Sequence, residues 1–148
     1  MPIRAENKDL YPKNWPEISK AIRDRAGDTC EQCGVANGAE IMRFTSEDYH
    51  GLPVFCLRDT GDVFSATDGT LVGSEPPPAL EDQIGGKWVK VVLTVAHLDH
   101  TPENCVPENL RCWCQRCHNV YDAPMRRAGT KTRARSKAAV ADLFGGAL

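Results

Sequence analysis

Residues 88–100 read Trp88-Val89-Lys90-Val91-Val92-Leu93-Thr94-Val95-Ala96-His97-Leu98-Asp99-His100, and residues 114–118 read Cys114-Gln115-Arg116-Cys117-His118. β-Branched residues dominate the first run and Gly85-Gly86 precedes it, so a strand is expected over 87–96, ending where the histidines begin. Pro107 to Trp113 can make one helical turn or more, and Gln115 to Asp122 suggests a second short helix that stops before Pro124. The local order is therefore strand, loop, helix.

Upstream lies a second Cys-x-x-Cys pair, Cys30-Glu31-Gln32-Cys33, which a helix over 14–27 delivers; Asn14 is its possible N-cap and Pro16 sits in its first turn. Two such pairs can supply four thiolates to one tetrahedral Zn²⁺, with Zn–S distances of about 2.3 Å. The chain has seven cysteines, and an odd number with this spacing suits metal binding in a reducing compartment better than a disulfide framework. The remaining three, Cys56, Cys105 and Cys112, read as small hydrophobes. A shared zinc would pin the end of the first helix to the start of the last one, and its loss should unfold the domain.

Four further residues surround this staple. Asp99-His100 stands at the end of the strand, Asn109 on the returning loop, and His118 directly after the last cysteine. Hydrolysis of a phosphodiester needs a base for water, a Lewis acid on the phosphate and stabilisation of the leaving oxygen. His100 can be the base, because neutral imidazole accepts a proton near neutral pH. Asp99 and His118 offer one hard oxygen and one imidazole nitrogen to a divalent cation, leaving positions for phosphate and water. The Asn109 amide can bond backbone on both sides of a loop and hold the base in place.

The order Cys-x-x-Cys, strand, Asp-His, Asn-Leu, Cys-x-x-Cys-His resembles the HNH endonuclease family, and His97-Leu98-Asp99-His100 is similar to the motif of recombination endonuclease VII and of small HNH proteins of phages and bacteria. The likeness covers residues 14–33 and 88–122 and leaves 34–87 outside it. It implies an α+β chain with a ββα-metal (His-Me finger) domain, a structural zinc at Cys30, Cys33, Cys114 and Cys117, and a catalytic Mg²⁺, Mn²⁺ or Ni²⁺. On that likeness Asp99 and His118 are metal ligands, His100 the general base and Asn109 the orienting residue. His97 is a reserve base, because the step from His100 to Asn109 is shorter than in typical HNH motifs. The implied activity is cleavage of DNA.

Over the whole chain of 148 residues, the net charge of −2 gives no global sign of a nucleic-acid partner, so any such sign must lie in the distribution. From Arg111 to Lys137 there are eight basic residues against the single acid Asp122. Arg111, Arg116, Arg126, Arg127, Lys131, Arg133, Arg135 and Lys137 are candidate phosphate contacts, with low sequence specificity. Gly129, Thr130, Thr132 and Ser136 suggest a disorder-prone basic tail over 126–148, with a weak helix over 137–144 stopped by Gly145-Gly146.

Residues 44–86 are acidic, with Arg58 the lone Lys or Arg, and are read as able to take a protein partner; within the 34–87 insertion, the stretch from Ile41 to Val72 is expected to be strand-poor, with short β-prone pieces at 52–57 and 69–72. Pro76-Pro77-Pro78 reads as an extended surface connector, and residues 1–13 as an N-terminal arm. Trp15, Trp88 and Trp113 are expected to pack in the interior, Trp113 near the zinc. No apolar run approaches the roughly 20 residues that span a bilayer, and the polar start lacks a signal-peptide core, so a cytoplasmic protein is expected. Two rival readings remain: a non-catalytic zinc-ribbon DNA-binding module, and an interaction factor built on an HNH-like frame.

Overall fold

The computed structural model describes residues 3–145, and divides into two compact units, Met1–Cys117 and His118–Leu148. Met1 and Pro2 of the expected arm, and Gly146 of the expected helix stop, lie outside the described residues.

In the first unit, residues Ala5–Leu10 form a 3-10 helix, so the arm has local structure. Helix α1 spans Trp15–Arg25. Pro16 is placed in its first turn as expected, but the Asn14 side chain makes no capping bond. Ile22 is the residue of α1 buried against the interior.

Strands β1 (Glu40–Thr45), β2 (Pro53–Leu57), β3 (Asp62–Ser65) and β4 (Leu71–Ser74) follow, then helix α2 (Pro77–Ile84) and the two-residue strand β5 (Val89–Lys90). The five strands form one antiparallel sheet in the order β4-β3-β2-β1-β5. The β-prone pieces expected at 52–57 and 69–72 overlap β2 and β4, while β1 and β3 are strands that the residues alone do not mark, so the insertion expected to be strand-poor holds four strands of one sheet. β1 and β3 are only six and four residues long, so their alternation is brief, yet Ile41 and Phe55 face one apolar cluster while Met42, Val54 and Cys56 face another. Leu80 of α2 covers that second face.

Two further expectations are corrected here. The prolines open α2 instead of extending the chain: Pro77 sits at its start, where a missing N–H costs nothing. The run expected to be one strand over 87–96 is two: β5 joins the five-stranded sheet and β6 (Leu93–His97) begins a separate hairpin. At the break, Val91 donates its N–H to Ala39 O at 2.8 Å and accepts from Gly38 N at 2.8 Å, which turns its side chain fully inward.

Strand β7 (Leu110–Cys114) pairs with β6 in register from Leu93↔Cys114 to His97↔Leu110. Only Pro107–Asn109 of the expected turn is helical, as one 3-10 turn, and Leu110 to Trp113 is strand. The larger apolar cluster gathers Ile22, Val35, Phe55, Leu93, Leu110 and Trp113 around the cysteines.

Helix α3 runs from Gln115 to Gly145, with Pro124 inside it. It replaces both the short helix ending before Pro124 and the disorder-prone tail. Ala, Arg and Lys recur through 126–139 and favour helix, and Thr130 and Thr132 turn their hydroxyls back onto the carbonyls of Arg126 and Ala128 at 2.9 and 3.0 Å. Among the described residues no helix is long and apolar enough to cross a membrane.

Candidate functional site

The Cys30–Val35 turn is closed by Cys30 N–H donating to Val35 O at 2.8 Å and Gly34 N–H donating to Cys30 O at 2.9 Å. Gly34 takes φ of 74°, which a side chain disfavours, so the chain can reverse tightly and present both thiols on one side. Cys114 ends β7 and Cys117 falls in the first turn of α3, which turns the second pair toward the first.

All four sulfurs are buried and lie within 4.8 Å of one another. A Zn–S distance of about 2.3 Å sets a tetrahedral S···S edge of about 3.8 Å. Cys33 Sγ and Cys114 Sγ are 3.8 Å apart, so the four thiols fit a structural zinc. Hydrogen bonds among the sulfurs bring the Cys30 thiol down to about 6: the one with Cys114 opposes ionisation, while those with Cys117 and Cys33 favour it. Bonds from Cys117, Cys30 and Cys33 also lower Cys114, whereas bonds from Cys114 and burial raise Cys33 and Cys117. Cation binding to such a set releases the protons that remain.

Arg25 and Glu31 hold this centre to the hairpin. Arg25 Nη2 donates to Glu31 Oε2 at 2.9 Å and to Leu110 O at 2.8 Å, and its Nη1 donates to Pro107 O at 2.9 Å. Glu31 Oε2 in turn accepts from Cys112 N at 2.7 Å. Burial raises the Glu31 pKa, but the bonds from Arg25 and the Cys112 N–H outweigh it and the carboxyl lies below its ordinary value. The 66–69 turn of the sheet is pinned to the same knuckle: Gln32 Nε2 donates to Thr67 O at 2.9 Å and Arg116 Nη1 to Ala66 O at 2.8 Å. A Cβ on Gly69 would stand 2.5 Å from Cys33 O, so that close approach requires glycine.

At the other end of the hairpin, the 98–109 loop is closed by side-chain amides. Asn109 accepts Asp99 N–H on its Oδ1 at 3.2 Å and donates Nδ2 to Asp99 Oδ1 at 2.9 Å and to Asn104 O at 2.8 Å. Asn104 Nδ2 donates to Asp99 Oδ2 at 2.8 Å, and Thr101 N–H to Asp99 Oδ1 at 2.9 Å. These donors, Asn104 first, then Asn109 and the Thr101 N–H, bring Asp99 down to about 2. Its two oxygens face the loop's own donors.

His97 is buried at the end of β6. Its ring stacks on Trp15 with centroids 5.1 Å apart, meets Tyr11 edge-on at 5.7 Å, and places Nε2 3.5 Å from Cys105 Sγ. His100 is half-buried at a left-handed corner of the loop, with φ of 57°. Cys56 and Cys112 are fully buried, Cys105 is half-buried, and burial raises all three thiols. Trp113 is buried in the cluster that holds the cysteines, while Trp15 and Trp88 are half-buried at the edges of their clusters.

Within the second unit, His118 Nε2 lies 3.1 Å from Asp122 Oδ2, one helical turn along α3. Asp122, which the sequence reading counted only as an acid in a basic run, stands at the i+4 spacing that shares a helix face with His118. Arg126 donates to Asn119 O at 2.9 Å, and Arg127, Lys131, Arg133, Arg135 and Lys137 are exposed on the helix. Arg111, in the first unit, donates to Glu108 O at 3.1 Å and to Leu110 O at 2.9 Å, so it also closes the hairpin loop.

The chain matches no protein-family model, no curated protein and no solved structure.

Proposed function

We propose that this chain is a metal-dependent DNA endonuclease of the HNH kind. The observation that carries the reading is the Asn109 clamp, in which one carboxamide holds Asp99 and Asn104 across the loop and so fixes the histidine-bearing end of the hairpin. The element order β6, β7, α3 with cysteines at the strand-to-helix junction also supports it.

Within this reading His97 is a better base than His100. It ends a paired strand, its ring plane is set by Trp15, and Cys105 meets one of its nitrogens, whereas His100 sits on a loop corner. A base held in one orientation loses less on taking the proton from water. Asp99 then acts as the acceptor that shapes the loop, because its oxygens already receive three N–H donors.

His118 and Asp122 offer an imidazole nitrogen and a carboxylate oxygen from one helix face, a donor set that fits a divalent cation. A cation held there would supply Lewis-acid stabilisation of the charge that develops on the phosphate. Arg127, Lys131 and Arg135, at i,i+4 spacing, would contact backbone phosphates without reading bases.

The test compares wild type, His97→Ala and His100→Ala, each shown folded and zinc-loaded, on supercoiled plasmid with Mg²⁺, Mn²⁺ or Ni²⁺. The expected outcome is relaxed or linear DNA with wild type and His100→Ala, and intact plasmid with His97→Ala. Loss confined to His100→Ala would return the base to His100, and no cutting by any form would favour a DNA-binding module without chemistry.

A further inference from the structure

The N-terminal arm reaches the histidine that ends β6. Tyr11 follows directly on the 3-10 helix of the arm, and its ring meets the His97 ring edge-on, with centroids 5.7 Å apart and 73° between planes. The Trp15 ring, at the start of α1, stacks on His97 at 5.1 Å and meets Tyr11 edge-on at 5.1 Å, so the rings form one contiguous cover. Under it His97 is 8% exposed. A base for phosphodiester hydrolysis needs a water and a phosphate within hydrogen-bond reach, and a side chain closed off to this degree admits neither.

The two covering rings differ in how firmly they are held. Trp15 belongs to α1 and packs against the larger apolar cluster, in which Ile22 of the same helix is buried. The arm is tied locally: Asn7 N–H donates to Arg4 O at 2.9 Å, Tyr11 N–H to Lys8 O at 3.3 Å, and Arg4 pairs with Glu6. Among the described residues, no hydrogen bond or ion pair runs from 3–13 to anything beyond Trp15. Ala5–Leu10 buries no residue. Between the two rings the chain turns through Pro12, Lys13 and Asn14, where Trp15 N–H donates to Pro12 O at 3.0 Å but Asn14 makes no side-chain capping bond. A segment with so few ties to its surroundings opens at lower cost than the core beneath it.

We propose that residues 3–13 are a strap that controls access to His97, with Tyr11 as its latch and 12–14 as its hinge. Lifting the strap takes Tyr11 away and leaves Trp15 to hold the ring plane, so the imidazole becomes accessible while staying oriented. With the strap down the chain is autoinhibited, and its activity scales with the fraction of molecules that are open. That inhibitory consequence rests on the proposed role of His97 as base; the cover over His97 does not.

The experiment is modification of the zinc-loaded full chain by diethyl pyrocarbonate, quantified histidine by histidine by mass spectrometry, beside plasmid cleavage with Mg²⁺, Mn²⁺ or Ni²⁺. Tyr11→Ala should raise the modification rate of His97 about tenfold and raise cleavage in step, with the exposed His50 unchanged as internal standard. Tyr11→Phe, which keeps the ring, should match wild type in both. Pro12→Gly, which leaves every ring in place and loosens the hinge, should move both readouts in the direction of Tyr11→Ala. Equal modification of His97 in wild type, Tyr11→Ala and Pro12→Gly overturns the proposal, and so does cleavage that falls as His97 opens. His97 opening in both variants with no cutting by any form would uphold the strap and count against the nuclease.

Discussion

Arg25 directs its guanidinium at three places at once, the Glu31 carboxylate and the carbonyls of Pro107 and Leu110, and Glu31 passes the tie on to Cys112 N. Charge-assisted bonds of this kind contribute about 1.5–3 kcal/mol each, so Glu31→Ala should lower stability by roughly 2–3 kcal/mol, read as a fall in the urea midpoint with an unchanged slope. Both Glu31 and Asp99 have folded pKa values below their unfolded ones. Their contributions are therefore complete above the unfolded value of about 4 and are lost as pH falls through the folded one. For Asp99 that window runs from about 4 down to about 2, and the Thr101 amide should exchange progressively faster across it; constant protection over the window would contradict the clamp. Little of this was legible beforehand. The Cys-x-x-Cys pairs show because each is local, and Asn109 was singled out for its amide, but Arg25 meets carbonyls 82 and 85 positions away and no sequence spacing encodes that.

At the scale of elements, β5 and β6 show why one apolar run can hide two strands. Val91 is buried between them, so β-branched character continues unbroken while the backbone leaves one sheet for another. The opposite error occurs at Pro124, which is a stop signal by itself yet lies inside α3, where the alanine-rich basic stretch that follows sustains the helix. A proline in a helix interior costs about 3 kcal/mol and a glycine about 1 kcal/mol relative to alanine. Gly129 has open space where a Cβ would go, so Pro124→Ala and Gly129→Ala should each raise helical signal and its thermal midpoint in circular dichroism. A fall in either would show that the proline or the glycine is needed where it stands.

In the first unit, α1, the five-stranded sheet and the hairpin all meet at four cysteines that each belong to a short connecting turn or an element end. The mixed α/β content and the four-cysteine cluster were legible beforehand, as were β-prone pieces at 52–57 and 69–72, but the five-stranded sheet as a whole was not, because its strands are short and their partners are set by pairing across 40–90. With so much of the packing routed through one centre, removal of zinc by a strong chelator should abolish the cooperative thermal transition, and Cys30→Ser should do the same. Retention of the native transition without metal would mean that the apolar clusters alone hold the unit. The chemistry proposed for the hairpin stands or falls on a separate measurement: plasmid cleavage by the zinc-loaded wild-type chain, with and without added Mg²⁺, Mn²⁺ or Ni²⁺. Conversion of supercoiled DNA to nicked or linear forms only when the cation is added is the predicted result, and supercoiled DNA left intact with all three cations would contradict it.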